Sequence, residues 1–462
     1  MAIELSEIGF TDKADVVPAS GVEEIINTQI ANTLAGNDRI TGVSAGSKYG
    51  IFNSGTLNTA EDNDIITGIH NHTDDSPFSP YYGIYNESGS IDTGLGNDTI
   101  IGTSKAGSGI TTLYGFINTG DGNDIIMGRG TDVGFLNGGG NIGTGEGNDI
   151  ITGIGDSTGI LANEGNIDTG GGNDSITGTG LFGIVNENGS TLYTDDGNDI
   201  IKGVSTASGG GIVNRGSIDT GNGNDIITGT TDSNASGEPS GLYNYGDFYT
   251  GNGDDIITGS GNKGIWHTSF FSQGYKINDF RTGDGNDIIM GRGTDVGFLN
   301  SGGNIDTGEG NDIITGIGGS IGIVNGGEEG NIDTGGGDDI IIGSGETGIG
   351  NYGSIYTGNG NDSIIANGGF DGVYGYSFVF LGNGNNYIKG FGRGTFVGGI
   401  DGEDTLELTS GSYTIEKLGE AVYFTENSSS VTMNTFDFDK FIAGNKTYSL
   451  ASLNNGQTIF VP

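Results

Sequence analysis

Residues 216–228 read Gly216-Ser217-Ile218-Asp219-Thr220-Gly221-Asn222-Gly223-Asn224-Asp225-Ile226-Ile227-Thr228. A Gly-x-Gly-Asn-Asp run is a tight turn, because glycine takes backbone dihedrals closed to other residues. The isoleucines that follow favour an extended strand. Nearly the same words recur from Gly36 to Asn386. Each turn closes on an aspartate, at Asp38, Asp64, Asp98, Asp124, Asp149, Asp174, Asp199, Asp225, Asp255, Asp287, Asp312, Asp339 and Asp362, and Asn386 takes the next slot. Most neighbours in this series lie 25 or 26 residues apart, and insertions lengthen a few intervals. A period of roughly 20 to 50 residues marks a solenoid or an array before anything else.

Each unit carries strand-like segments on either side of the corner. One is Gly-Ile-x-Asn, as in Gly183-Ile184-Val185-Asn186 and Gly211-Ile212-Val213-Asn214; another is the Asp-Ile-Ile-Thr-Gly run after the corner; Ile-Asp-Thr-Gly stands between them, as in Ile332-Asp333-Thr334-Gly335. Two or three short strands per unit, joined by glycine-rich corners, predict an all-β fold: a right-handed parallel β-solenoid of about 13 to 14 coils. Side chains alternate along a strand, so the Ile and Asn of Gly-Ile-x-Asn share a face. Both are expected inward, with Asn53, Asn86, Asn137, Asn186, Asn214, Asn244, Asn300, Asn325 and Asn351 forming an amide ladder. The residue after the motif aspartate then points outward and is usually Ile, as at Ile65, Ile125, Ile150, Ile200, Ile226, Ile256, Ile288, Ile313 and Ile340. Either this stripe is tucked under a loop, or it is an apolar surface for a partner or for self-assembly.

Three segments follow from the changes in pattern. Residues 1–34 precede the first corner, and Val22, Ile25, Ile26 and Ile30, with Ser20 as N-cap, predict a short capping helix or lid. Residues 35–399 are the solenoid. Residues 400–462 are poor in glycine and rich in aromatics (Tyr413, Tyr423, Phe424, Phe436, Phe438, Phe441), which predicts a β-rich C-terminal cap. Within the solenoid, residues 69–82, 230–240 and 262–281 read as insertion loops; they hold the three histidines, with His70, His72, Pro77 and Pro80 in the first and Trp266, Phe270 and Phe271 in the last. Residues 120–155 and 283–318 differ only at Gly138 against Ser301 and Gly143 against Asp306, so several coils were duplicated as a block. Only an architecture whose coils add independently tolerates that.

Composition narrows the function. Among 462 residues there are 98 glycines without a Gly-x-y period and only 5 prolines, which excludes collagen. Sixteen Lys and Arg against 59 acidic residues give a net charge of −43, so nucleic acid and anionic membrane surfaces are poor partners and cations good ones. With no cysteine there is neither a disulfide framework nor a thiolate metal site. The first 30 residues lack the basic start and apolar core of a signal peptide, and no run is long and apolar enough to insert in a membrane. No nucleophile elbow or tuned acid–base pair stands out from the repeat, and the chain is read as no enzyme. His70-x-His72 offers a transition-metal pair, but loop histidines are more often only solvated.

The aspartates of stacked corners come to about 4.8 Å of one another. Two carboxylates at that distance repel by about 1 kcal/mol even at the dielectric of water. Cations must therefore compensate the column, and the basic residues are too few. Ca2+ takes six to eight oxygens, from carboxylates and carbonyls in flexible geometry, and suits a glycine-rich corner better than Mg2+ does.

Thr220-Gly221-Asn222-Gly223-Asn224-Asp225-Ile226-Ile227-Thr228 resembles the nonapeptide Gly-Gly-x-Gly-x-Asp-x-U-x of the repeats-in-toxin (RTX) family, and the match recurs over roughly residues 36–390. The resemblance implies a calcium-binding β-roll in which each of the thirteen motif aspartates is a Ca2+ ligand, completed by carbonyls of its own and a neighbouring turn. It also implies export by a machinery that reads the C-terminal segment. Here one nonapeptide occurs per coil of about 25 residues where the family has two per coil, so a single column of ions is expected. Sites next to Asn386, and next to Ala60-Glu61-Asp62 before Asp64, are expected to be weak or empty. The function so implied is a secreted, calcium-stabilised structural protein of the cell surface that forms oligomers or fibres. An adhesin or a module binding carbohydrate or ice is the alternative, and a polysaccharide-active enzyme a third.

Overall fold

The computed structural model of the chain describes residues 2–18, 23–44, 46–73, 81–232, 239–269, 278–326, 330–372 and 377–462. Among these residues it is all-β except for two single turns of 3-10 helix, Leu5–Glu7 and Leu450–Ser452. The chain forms two compact units, Met1–Asp247 and Phe248–Pro462, and each is a parallel β-solenoid.

In the first unit a coil has three strands. One coil runs through Ile150–Ile154, Thr158–Asn163 and Asn166–Asp168, and the next through Ser175–Gly180, Phe182–Asn186 and Thr191–Tyr193. All three pairs are parallel and keep the same register, with Ile151 beside Ile176, Ile160 beside Ile184 and Ile167 beside Leu192. These six side chains are fully buried. The core is thus three columns of β-branched and aliphatic residues, each position resting on its counterpart one coil away. Such a core needs only three large apolar residues per coil, which is why 32% hydrophobic residues suffice.

The second unit repeats the scheme. Ile289, Ile314, Ile341, Ile364 and Ile388 form one buried column, and Phe280, Ile305, Ile332, Ile355, Val379 and Phe396 another. Parallel stacking extends beyond residue 400, since Thr405–Leu408 pairs with Tyr387–Lys389 and with Lys440–Ala443. Antiparallel pairing then takes over between Gly411–Leu418 and both Ala421–Glu426 and Thr458–Val461. A β-rich segment closes the chain, but its first strands are still coils.

The start of the chain corrects the helix expectation. Glu24–Asn27 and Ile30–Asn32 are strands, parallel to Tyr49–Asn53 and Thr56–Asn58, and Ile25 sits on Ile51 in the core. Helical spacing of apolar residues gives way to a ready-made strand edge on the next coil. Ser20 and Val22 lie outside the described residues.

The asparagine ladder forms inside the coils as expected. Asn53 Nδ2 donates to Asn86 Oδ1 at 2.8 Å, Asn186 to Asn214 at 2.8 Å, Asn214 to Asn244 at 2.7 Å and Asn300 to Asn325 at 2.9 Å. Asn27 extends it by one coil, while Thr112 and Ala162 interrupt it. The histidines are less peripheral than expected. His267 occupies the Asn column beside Asn300, and His70 ends a strand, buried and stacked on Tyr81 at 4.6 Å. Pro77, Pro80, Phe270 and Phe271 lie outside the described residues.

Candidate metal centre

A single corner shows what the glycines do. In Thr169-Gly170-Gly171-Gly172-Asn173-Asp174, Gly170 and Gly172 have φ of +71° and +143°. A Cβ on Gly172 would stand 1.5 Å from the carbonyl oxygen of Gly147, one coil back. Both the dihedral and the close approach therefore demand glycine. At the glycine-poor corner before Asp64, Ala60 and Asp62 adopt φ of +73° and +84°, so the turn is kept there at a cost in backbone strain.

Asn173 and Asp174 then face opposite ways along the stack. Asn173 N donates to Asn148 Oδ1 at 2.8 Å, and Asn198 N to Asn173 Oδ1 at 2.8 Å, so each exposed asparagine caps the following coil. Asp149 N donates to Asp174 Oδ1 at 2.8 Å, and Asp174 N to Asp199 Oδ1 at 2.7 Å, so each buried aspartate caps the preceding coil. The aspartate chain runs from Asp38 to Asp225 in the first unit, and from Asp255 to Asp362 in the second. All thirteen predicted aspartates are buried in these two columns. The asparagine chain was not anticipated; its signal is the Asn that precedes Asp at most corners.

One carboxylate oxygen accounts for the ladder, and the other remains. Oδ2 of Asp38, Asp64, Asp98, Asp124, Asp149, Asp174, Asp199, Asp287, Asp312, Asp339 and Asp362 is buried with no hydrogen-bond partner. An unsatisfied buried carboxylate oxygen is costly, and eleven at equivalent positions amount to a systematic feature. Burial pushes Asp64, Asp124, Asp174, Asp199 and Asp339 up to about 7, and Asp225, Asp287, Asp312 and Asp362 up to about 6. The threonine of each corner works against this as a nearby dipole. At several corners its hydroxyl donates to the next coil's threonine carbonyl, as from Thr144 to Thr169 at 3.0 Å, whereas the hydroxyls of Thr119, Thr169, Thr220 and Thr334 make no such bond.

The ends of the columns behave differently. Asn386 takes the carboxylate's place, accepting from Asp362 N at 2.9 Å, and its own Nδ2 donates to the Gly382 carbonyl at 3.4 Å. Asp404 accepts from Asn386 N through Oδ1 and from Gly399 N through Oδ2. Asp15, at the other end, accepts from Thr11 N at 2.7 Å. Polar satisfaction is thus complete at Asp15, Asn386 and Asp404, next to the columns, and lacking at the eleven aspartates named above.

The donor set fits a hard divalent cation. The unpartnered atoms of the columns are carboxylate oxygens, a hard donor type. Among the described residues no three His, Asp or Glu side chains converge on one metal-sized space. On the outer side of three successive corners, Glu146, Asp195 and Asp196 line a groove of about 560 Å3 together with Gly171 and Gly172. On the sheet face after the corner, Ile150, Ile200 and Ile226 point outward and are 43%, 42% and 39% exposed.

Fold and columns together define an all-β parallel β-solenoid of repeated acidic corners. No protein-family model matches the chain, and no curated protein matches it. Among solved structures it is similar to a hyperactive, Ca2+-dependent, β-helical antifreeze protein from an Antarctic bacterium. The identity is 14%, the match covers 98% of this chain and 95% of that one, and the TM-score is 0.33.

Proposed function

We propose that this chain is a calcium-stapled solenoid of the extracellular surface, a structural element that associates with copies of itself. The observation that carries the reading is the run of unpartnered Oδ2 atoms, which stops where Asn386 and Asp404 satisfy themselves. Bound Ca2+ would supply positive charge and vacant coordination positions for those oxygens. Asp38 through Asp362 would hold it with corner carbonyls of the same and the adjacent coil, and the resemblance to RTX repeats supports that choice of ion. The aspartates would then stay ionised despite burial, and each coil would be tied to the next without cysteine. Outside the cell calcium is abundant, and a chain of charge −43 gains from it there. No catalytic role is assigned. The outward Ile stripe supports self-association, because a parallel strand apolar on both faces is ordinarily covered on both.

Circular dichroism and urea unfolding at about 5 mM Ca2+ against a chelator test the staple. Loss of the β signal, or a large fall of the midpoint on chelation, is expected; a fold indifferent to chelation would sink the reading. Light scattering at the same calcium tests the association, and a strictly monomeric protein removes that half of the proposal.

A further inference from the structure

Outside the columns, a pocket of about 450 Å3 in the second unit is built from segments between residues 368 and 431. Its floor is bare backbone at Gly368, Gly369 and Gly392. A Cβ on Gly392 would stand 1.7 Å from the Phe370 carbonyl oxygen, so no side chain can fill the floor. Phe391 supplies the apolar wall, while Phe370, beside the buried Ile349 of the preceding coil, belongs to the core behind the pocket. Phe370 packs on Phe396 at 4.9 Å and 67°, and Phe391 on Tyr413 at 4.7 Å and 57°. The Tyr413 hydroxyl donates to the Thr409 carbonyl at 2.8 Å, which holds the rim at Thr409 and Ser410.

Glu426 and Ser429 stand on the remaining side. Oε2 of Glu426 accepts from Ser428 Oγ at 2.7 Å, Ser428 N at 3.0 Å and Ser429 N at 2.7 Å, inside the turn that joins two antiparallel strands. Those hydrogen bonds, the Ser428 hydroxyl first, hold the carboxyl at about 2, so it stays ionised at any ordinary pH. Oε1 takes no part in that lock. Gly369-Phe370-Asp371-Gly372 stands where other coils read Gly-Ile-x-Asn, with Phe370 in the Ile position, whereas Tyr413 and Glu426 come from the C-terminal segment and lie outside the repeat. Stacking one more coil would not require Tyr413 or Glu426.

We infer that this pocket is a sugar site that takes one neutral pyranose residue. Its volume lies near the lower end of ligand pockets, which run from about 300 to 1,000 Å3. A preset aromatic wall meets the C–H face of a sugar, and a fixed ionised carboxylate oxygen is a strong acceptor for its hydroxyls. Thr409, Ser410 and Ser429 add hydroxyls that both donate and accept. No cationic side chain lines the pocket, and the chain carries −43, so an anionic ligand is repelled. An organic ammonium ion would use Glu426 but leave the hydroxyl rim without a purpose. The inference gives the proposed surface protein a glycan to hold, yet it stands on the pocket alone and does not depend on calcium in the columns.

The test is saturation-transfer NMR on the full chain in calcium. The probes are glucose, galactose, mannose, N-acetylglucosamine and xylose, with n-butylammonium and acetate as charged comparators, and calorimetry follows on any binder. At least one sugar is expected to bind in the millimolar range. Glu426→Gln is expected to weaken it about tenfold, the loss of one charge-assisted hydrogen bond. Ser410→Trp, at an exposed rim position, is expected to abolish binding by filling the space while leaving the circular dichroism spectrum and urea midpoint unchanged. Should Glu426→Gln unfold, Ser410→Trp decides alone. Binding of the amine without any sugar, binding of no sugar, or sugar binding that survives Ser410→Trp overturns the inference.

Discussion

At the scale of one residue, the motif aspartate does two things that can be pulled apart. Its Oδ1 closes the ladder to the coil before it, and its Oδ2 is left over. Asparagine keeps the first and loses the charge, as Asn386 does naturally. Asp174→Asn is therefore expected to stabilise the metal-free protein at pH 7.5 by about 1 kcal/mol, since a buried charge disappears. The same change should remove calcium sites by calorimetry. Asp174→Ala loses the ladder bond as well and leaves Asp149 N without its partner. At pH 5, where the native carboxyl is largely neutral, it should cost about 1–3 kcal/mol by urea unfolding. The pH dependence follows from the same burial. Asp64, Asp124, Asp174, Asp199 and Asp339 titrate near 7 when folded and near 3.8 when unfolded. Between those values the folded chain binds more protons, so metal-free stability is full at about pH 4 and falls as pH rises through 7. Thermal midpoints in chelator, taken from pH 4.5 to 8, should decline steadily; a rise over that window contradicts the raised values. In calcium the decline should flatten or reverse, because the ionised form is then the one that is held.

At the scale of the element, the corner is specified by glycine and the strand by what it stacks on. Gly172→Ala would put a methyl group against the Gly147 carbonyl in a backbone conformation that disfavours any side chain, and neither coil can yield without breaking strand register. A loss of at least about 3 kcal/mol is expected by urea unfolding, with fast hydrogen exchange at the two adjacent coils. The same reasoning explains what could be read from the sequence. Repeat length, inward Ile and Asn columns, and the burial of all thirteen aspartates follow from alternation and period, which are properties of each strand by itself. The strand at Glu24–Asn27 was not legible, because its apolar spacing also suits a helix and only the edge offered by Tyr49–Asn53 decides. Nor were the opposed ladders of Asn173 and Asp174. Which neighbouring coil a side chain reaches depends on coil geometry, and adjacent residues in one turn differ in it. His267 was misread for a related reason, since a residue inside an apparent insertion still fell in register with Asn300.

At the scale of the molecule, stability should follow calcium by mass action with a slope that counts ions. Coils in a solenoid add their contributions through nearest neighbours, so sites in different coils act nearly independently. Each ion that binds only the folded chain stabilises it by RT ln(1 + [Ca2+]/Kd), and above Kd this grows by about 1.4 kcal/mol per ion for each tenfold rise in free calcium. Of the eleven unpartnered carboxylate oxygens named above, seven lie in the first unit and four in the second. Unfolding free energy from urea titrations of the full chain, plotted against the logarithm of buffered free Ca2+, is therefore expected to rise several times more steeply than one ion allows. High salt without calcium separates this from screening, because monovalent ions weaken repulsion between exposed charges but cannot supply ligands to buried oxygens. Asp174→Asn and Asp312→Asn, one in each unit, should each lower the slope by about one ion, and the double variant by their sum, since each acts on the coils of its own unit. Neutralising Asp404 by Asp404→Asn should leave the slope unchanged, because both of its oxygens are already satisfied within the fold. A slope matching a single ion, or one reduced as much by Asp404→Asn as by Asp174→Asn, would show that the unpartnered oxygens are not where calcium acts.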